Sequence, residues 1–333
     1  MGGGASAVWS TPAGVRDFTP ELAGAFYEMQ DAVTRILREA GYRPIVTPTF
    51  ELAHVFERGI GAADAARVLR FVDPQNGELL ALRSDITPQI ARLVAGPLRL
   101  EATPLRLSYF GHVFRLRQHA EFQRREIHQA GAELIGAAGV EADVEILRLC
   151  DRALVPAGDR RRVLSVGHVG VMAAALAGIE MPPDEATELH ERLRRRDSAG
   201  ARALLRGLGA TARADLVASL LTLAGDATAV LREARALGAK TLVGTLDELA
   251  RLVAQVAEQP LTAELLLDLG ETLGSGYYTG LVFHAYVDGL GQPVASGGRY
   301  DGLLAKYGRD LPAAGFAIDG EVLTEARTLR SRT

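Results

Sequence analysis

The sequence predicts an α+β fold: a mainly antiparallel sheet flanked by helices and interrupted by a helical insertion. Three observations predict it. Strand-like segments follow one another closely enough to form hairpins, which an all-parallel sheet does not contain. Helix-periodic segments stand among them without separating every strand from the next. Residues 180–260 then turn to Ala, Leu, Arg and Glu, with apolar positions such as Leu189, Leu193, Leu204, Leu205 and Leu208 at helical spacing and no strand signal.

The elements follow in order. Thr19-Pro20 reads as an N-cap and first helical position, and Leu22, Phe26, Met29, Val33, Ile36, Leu37 and Ala40 repeat at helical spacing until Gly41 stops the helix. Residues 42–52 carry Pro44 and Pro48 among β-branched neighbours, which suits a strand near a sheet edge because proline donates no ladder hydrogen bond. Residues 71–82 read as a hairpin turning at Asn76-Gly77, where Asn-Gly supplies the positive φ angles of a tight turn. Thr87-Pro88 opens a short helix that ends at Gly96-Pro97, and residues 105–116 and 122–135 form a second antiparallel pair. After the helical insertion, strand signals return at 263–269, 280–287 and 312–318, with the glycine-rich stretch 295–302 between them, and 320–329 closes as a helix.

At 333 residues the chain can bury a substantial core. Lys plus Arg is 37 against Asp plus Glu at 41, a net charge of -4, so the overall field does not favour a polyanion. The single cysteine, Cys150, lies in the apolar periodicity of a helix, which excludes an internal disulfide and a cysteine-rich metal site. The start, MGGGASA, lacks the basic and apolar runs of a secretory signal, and no stretch matches a membrane span, so a cytoplasmic location is expected.

Candidate chemistry gathers on the strands. Along 122–135, Gln129, Gly131 and Glu133 alternate with Ala130, Ala132 and Leu134, placing two polar side chains and a glycine gap on one face. With Arg115, Asp85 and Thr87 nearby, the set offers a cation for a carboxylate and acceptors for an ammonium, the mixture a zwitterionic ligand needs. The same residues could instead line a solvated sheet face or pair with one another, and the residues alone do not decide.

A resemblance adds to this reading. Residues 109–115, Tyr-Phe-Gly-His-Val-Phe-Arg, followed by 122–136, are similar to motif 2 of the histidyl-tRNA synthetases, a class II aminoacyl-tRNA synthetase family. Arg83 to Pro88 resembles that family's Arg-Pro-Glu-x-Thr-Pro segment; 48–51 and 56–61 resemble its motif 1 region; Tyr277-Tyr278-Thr279-Gly280 and 297–302 resemble its histidine-specific segments. The likeness runs in order from about Thr11 to Leu323 and implies one class II synthetase-like core over 8–330, with 180–260 inserted in it and no C-terminal anticodon-binding domain. Position by position it implies a histidine site at Asp85 (Glu in the family), Thr87, Arg115, Gln129, Glu133 and Tyr278. In that scheme Asp85, Thr87 and Gln129 hold the ammonium, Glu133 and Tyr278 the imidazole, and Arg115 lies near the carboxylate.

The nucleotide half departs from the family. Arg117 stands where motif 2 has a carboxylate for the adenine amine, and Ile127 where a phenylalanine stacks on adenine. Leu273 replaces the arginine at the α-phosphate, and Val322 the triphosphate-binding arginine of motif 3. Losing one such electrostatic group typically costs about 10²–10³ in rate. A pocket kept for histidine and stripped for ATP resembles that of the regulatory subunits of ATP phosphoribosyltransferase. The resemblance therefore implies no catalytic residues, no cofactor and no metal. It implies a short-form catalytic subunit as partner, histidine as effector, and a homodimer through the motif 1 region. The alternative is an enzyme that still activates histidine for an unknown acceptor.

Other features read plainly. His112, His119 and His128 are not at metal-ligand spacing and are expected to be ordinary strand or loop histidines. The basic run Arg192, Arg194, Arg195 and Arg196 lies beside Glu188 and Glu191 and is expected to form a solvated face rather than an RNA contact. Gly297-Gly298-Arg299 lacks both the Walker lysine and a dinucleotide fingerprint, so a close backbone approach to the pocket is expected there.

Overall fold

The computed structural model describes residues 10–60, 68–116, 124–271 and 276–328. Helix α1 (Pro20–Glu39) starts after Thr19 and buries Phe26, Met29, Val33 and Leu37 along one stripe. It stops at Ala40, and Gly41 takes φ +84°, a left-handed angle that glycine adopts without steric cost.

The single strand expected over 42–52 is two strands in two sheets. Strand β1 (Arg43–Ile45) lies at the edge of the large sheet, and β2 (Phe50–Leu52) belongs to a small one. Pro48 stands between them and cannot continue a ladder. After α2 (Ala53–Gly59), β3 (Arg70–Val72) and β4 (Leu79–Leu82) form the expected hairpin, and the small sheet runs β2-β4-β3. Its turn is wider than a two-residue Asn-Gly turn. Only Gly77 has positive φ, while Asp73 Oδ1 accepts from Gln75 N (2.8 Å) and Asn76 Oδ1 from Glu78 N (2.9 Å). Side-chain acceptors thus close this loop.

Helix α3 (Thr87–Ala95) leads to the long antiparallel pair β5 (Leu105–Phe114) and β6 (Glu126–Ile135), whose register runs from Leu105↔Ile135 to Phe114↔Glu126. Helix α4 (Val140–Ala153) carries the buried free thiol Cys150. Strand β7 (Arg162–His168) follows, then α5 (Val169–Leu176). The next stretch holds α6 (Pro183–Arg194), α7 (Ser198–Gly207) and α8 (Thr211–Thr222). A three-residue strand, β8 (Ala224–Asp226), precedes α9 (Ala227–Ala236) and α10 (Val243–Glu258). The expectation of no strand in this stretch is therefore corrected: β8 pairs with β9 (Glu264–Asp268) and becomes the far edge of the large sheet. Three residues are too few to show a period.

Strands β10 (Leu281–Val287), β11 (Ala295–Arg299) and β12 (Ala313–Asp319), then α11 (Gly320–Thr328), complete the chain. The large sheet has nine strands in the order β1-β5-β6-β12-β11-β10-β7-β9-β8. Its β1/β5 and β7/β9 pairs are parallel and the others antiparallel, as the α+β reading expects. Period-two alternation divides the core between its faces. Ala130, Ala132 and Leu134 of β6 join the larger cluster with α1, α4 and the later helices. Leu105, Leu107, Tyr109 and Ile127 join a smaller one with Phe56, Ile86, Ile90 and Tyr300. The residues expected to bind a ligand lie on the side of the smaller cluster. Among the described residues, no helix is long and apolar enough to cross a membrane.

Candidate functional site

Glu133 is the centre of the site. It points from β6 toward the smaller cluster and is 1 % exposed. Its carboxyl accepts from Thr87 Oγ1 at 2.7 Å and from the Tyr300 hydroxyl. Burial pushes the Glu133 carboxyl up to about 8, against these two hydrogen bonds, which favour the ionised form, and with a further upward push from Asp85. Room for the carboxyl comes from its partner across the ladder: a Cβ on Gly315 would lie 1.7 Å from Glu133 Oε2.

The segment at the start of α3 supplies the opposite wall. Asp85 Oδ1 accepts from Thr87 N (3.1 Å), and Asp85 Oδ2 accepts from the Tyr277 hydroxyl (2.9 Å). Arg115, at the end of β5, donates from Nε to the Ser84 carbonyl at 2.8 Å, which ties this cation to the same segment. Arg83 is structural: it is buried and donates to the backbone carbonyls of Thr47, Pro48 and His112, binding the strand connections together.

The glycine gap expected at Gly131 is filled. Tyr109 lies directly opposite on β5, and a Cβ on Gly131 would sit 2.3 Å from its hydroxyl. The Tyr109 phenol is held well above its ordinary range by burial and by the charges of Glu133 and Asp85 and by Tyr278, with Arg115 opposing. Gln129 is buried on the same face of β6. Among the described residues, Tyr109 OH and Gln129 Oε1 are buried polar atoms without a hydrogen-bond partner, a costly state unless something else pairs with them.

Thr87 thus links Glu133 to Asp85, Tyr277 links Asp85 to the Tyr278 ring (centroids 5.2 Å apart), and Arg115 is tied to the adjoining Ser84, with Gln129 on the same sheet face as Glu133. Thr87 engages Glu133 directly, so the expected ammonium and imidazole groups share one hydrogen-bonded unit. Three tyrosines, Tyr109, Tyr277 and Tyr300, line the site without having been singled out as contacts. The only signal for them was their place inside the quoted motifs. The close approach expected at 297–299 is present, since a Cβ on Gly298 would lie 3.0 Å from the Tyr278 ring. Arg299 turns away from it to Asp143 (2.8 Å) and Asp301 (2.9 Å). Burial raises the Asp143 carboxyl to about 6, with Arg299 opposing.

Of the four positions expected to have lost ATP contacts, Arg117 and Leu273 lie outside the described residues, as does His119. Ile127 packs in the smaller cluster and Val322 in the larger. The basic run is neutralised on the surface: Arg192 pairs with Glu188 and Asp197, Arg194 and Arg195 with Glu191, and Arg196 with Asp268.

Known proteins resemble this chain over most of its length. The family described as histidyl-tRNA synthetase matches residues 14–323. An ATP phosphoribosyltransferase regulatory subunit from Moorella thermoacetica is 39% identical over 317 residues, 95% of this chain and 81% of that protein. One from Anaeromyxobacter dehalogenans is 40% identical over 320 residues, 95% of this chain and 91% of that protein. A solved structure from Bacillus halodurans, named ATP phosphoribosyltransferase regulatory subunit/histidyl-tRNA synthetase, superposes with a TM-score of 0.86 at 34% identity, covering 96% of this chain and 83% of that one. With the ordered motifs, the class II sheet and relatives of this closeness, the chain belongs to the histidyl-tRNA synthetase family and, within it, to the ATP phosphoribosyltransferase regulatory subunits.

Proposed function

We propose that this chain is a non-catalytic regulatory subunit that binds free histidine in the Glu133 pocket. It pairs in the cytoplasm with a short-form ATP phosphoribosyltransferase, supports the first step of histidine biosynthesis, and relays feedback by histidine. One observation carries the reading: a buried carboxyl held by Thr87 and Tyr300 shares its sheet face with Gln129, whose Oε1 is unpaired, and with Tyr109, whose hydroxyl is unpaired. An ammonium needs acceptors such as Asp85 and Gln129 Oε1, an imidazole needs a carboxyl such as Glu133 with Tyr278 beside it, and a carboxylate needs Arg115. Each charge-assisted hydrogen bond of this kind is worth roughly 1.5–3 kcal/mol.

Loss of synthetase chemistry is supported by two positions that the resemblance assigns to the nucleotide. Ile127 and Val322 are apolar core residues, so neither offers an aromatic shelf or a cation to a nucleotide. A homodimer through the motif 1 region is supported by the small sheet, where Phe50, Phe71, Val72 and Leu79 are exposed apolar side chains. By linkage, ligands of the catalytic subunit must change histidine affinity here by the same factor that histidine changes theirs.

The test has two arms. The chain is co-purified with a short-form phosphoribosyltransferase, whose activity should rise on addition of this chain and fall with added histidine. Calorimetry should show histidine binding that Arg115→Ala weakens about tenfold or more. Histidine-dependent exchange of pyrophosphate into ATP at synthetase-like turnover would overturn the reading in favour of a histidine-activating enzyme.

A further inference from the structure

The face of β5 and β6 opposite the histidine pocket carries a second cluster. His112 and His128 are partners across the ladder, with ring centroids 4.1 Å apart, and Glu126 lies two residues from His128 on the same side of its strand. The register brings together residues that their spacing in the chain keeps apart. His112 Nδ1 lies 2.8 Å from Glu126 Oε1, and one donor atom from each of the three residues fits within 4.8 Å of the others. An ion of zinc type, with bonds of about 2.0–2.2 Å in a tetrahedron, holds its ligand atoms about 3.4 Å apart. The observed separations bracket that value.

The surroundings suit a cation as well. His128 Nδ1 lies 3.1 Å from Glu321 Oε1 on α11, and its ring packs against Phe18 and Phe26. That contact occupies Nδ1 and leaves Nε2 as the ring atom to bind an ion. This carboxylate-to-imidazole support is the arrangement that orients histidine ligands of metals. Around the cluster, Glu126, Asp319, Glu321 and Glu325 face two guanidiniums, Arg16 and Arg124, which leaves an excess of negative charge among the described residues. His112 and Glu126 are only partly buried, so a fourth position is open to water.

We infer that His112, Glu126 and His128 form a site for a divalent transition-metal ion of zinc type, separate from the histidine pocket and on the other face of the sheet. Imidazole and carboxylate donors suit zinc or cobalt better than magnesium or calcium, which take oxygen ligands.

The full chain, stripped with chelator and kept free of histidine, is titrated with Zn²⁺ alone by calorimetry, and with Co²⁺ while its visible absorption is followed. One equivalent should bind, with the intense visible bands of a low-coordinate cobalt site. His112→Ala and Glu126→Gln should each weaken binding tenfold or more and abolish those bands, while substituting the exposed histidines His54 and His190 by alanine should change neither. Zn²⁺ should also raise the melting temperature of the wild-type chain and not that of His112→Ala, which shows that the variant is folded when it fails to bind. No stoichiometric binding, or equal binding by wild type, His112→Ala and Glu126→Gln, overturns the site. Histidine binding by His112→Ala should be unchanged, so this test and that of the pocket fail independently.

Discussion

The Tyr300 hydroxyl donates to the buried Glu133 carboxyl, joining the residue after β11 to the C-terminal part of β6 across two intervening ladders. That bond holds a carboxyl whose proton is retained to about pH 8, and its consequences can be measured.

Stability of the ligand-free chain should fall as pH rises. The Glu133 carboxyl titrates at about 8 when folded against 4.5 in the reference state, so between these values the native state binds a proton that the unfolded chain releases. The stabilisation is complete below pH 4.5, declines through the window and is lost above 8. At 1.36 kcal/mol per unit the full swing reaches about 4–5 kcal/mol. Glu133→Gln carries no titrating proton, so in urea unfolding at pH 5.5, 7 and 8.5 the wild type should lose stability relative to it. Parallel curves would refute the assignment.

Tyr300→Phe should cost about 1–3 kcal/mol, because one carboxyl oxygen loses its buried donor. The tyrosine hydroxyl favours the ionised form, so its removal should also move the descent in stability to higher pH. A variant that is destabilised with no movement of that descent would leave Tyr300 a packing residue only.

Gly315→Ala should destabilise by about 1–3 kcal/mol and displace Glu133, since the added methyl would meet Glu133 Oε2 at 1.7 Å and the Ala132 carbonyl at 2.6 Å. A backbone carbonyl in a sheet cannot swing away. Thermal melting, with histidine calorimetry beside it, reads both effects.

Arg299→Met should cost about 3–5 kcal/mol, because it strands the buried Asp143 without its partner. The double variant with Asp143→Leu should recover most of that loss. A double-variant penalty equal to the sum of the singles would show that the pair is not coupled.

Val72→Glu, on the exposed face of β3, should dissociate the proposed homodimer without lowering the melting temperature of the monomer by more than about 0.5 kcal/mol equivalent. Sedimentation velocity distinguishes a halved mass from an unchanged one.

Part of the arrangement was legible because its residues sit inside ordered motifs: Thr87 bonds both Asp85 and Glu133, and Arg115 is tied to the adjoining Ser84. The tyrosines were harder to see, since a tyrosine in a strand reads equally well as core. Tyr109 is the clearest case, occupying space that the alternation along β6 left to a ligand. The histidine cluster was missed for the converse reason: His112 and His128 are sixteen positions apart in the chain, and only the β5–β6 register makes them neighbours.

The sequence by itself determined what local period and punctuation can encode. Helix α1 with its proline start and glycine stop, the antiparallel hairpins and the succession of motifs were all readable from it. Tertiary structure alone decided that residues 42–52 divide between two sheets, that the glycine-rich 295–299 is a strand, and that β8 closes the far edge. The physical reason is that short or glycine-rich segments carry too little period of their own. Their conformation is set by the ladder partners that satisfy their backbone hydrogen bonds, and those partners lie far away in the chain.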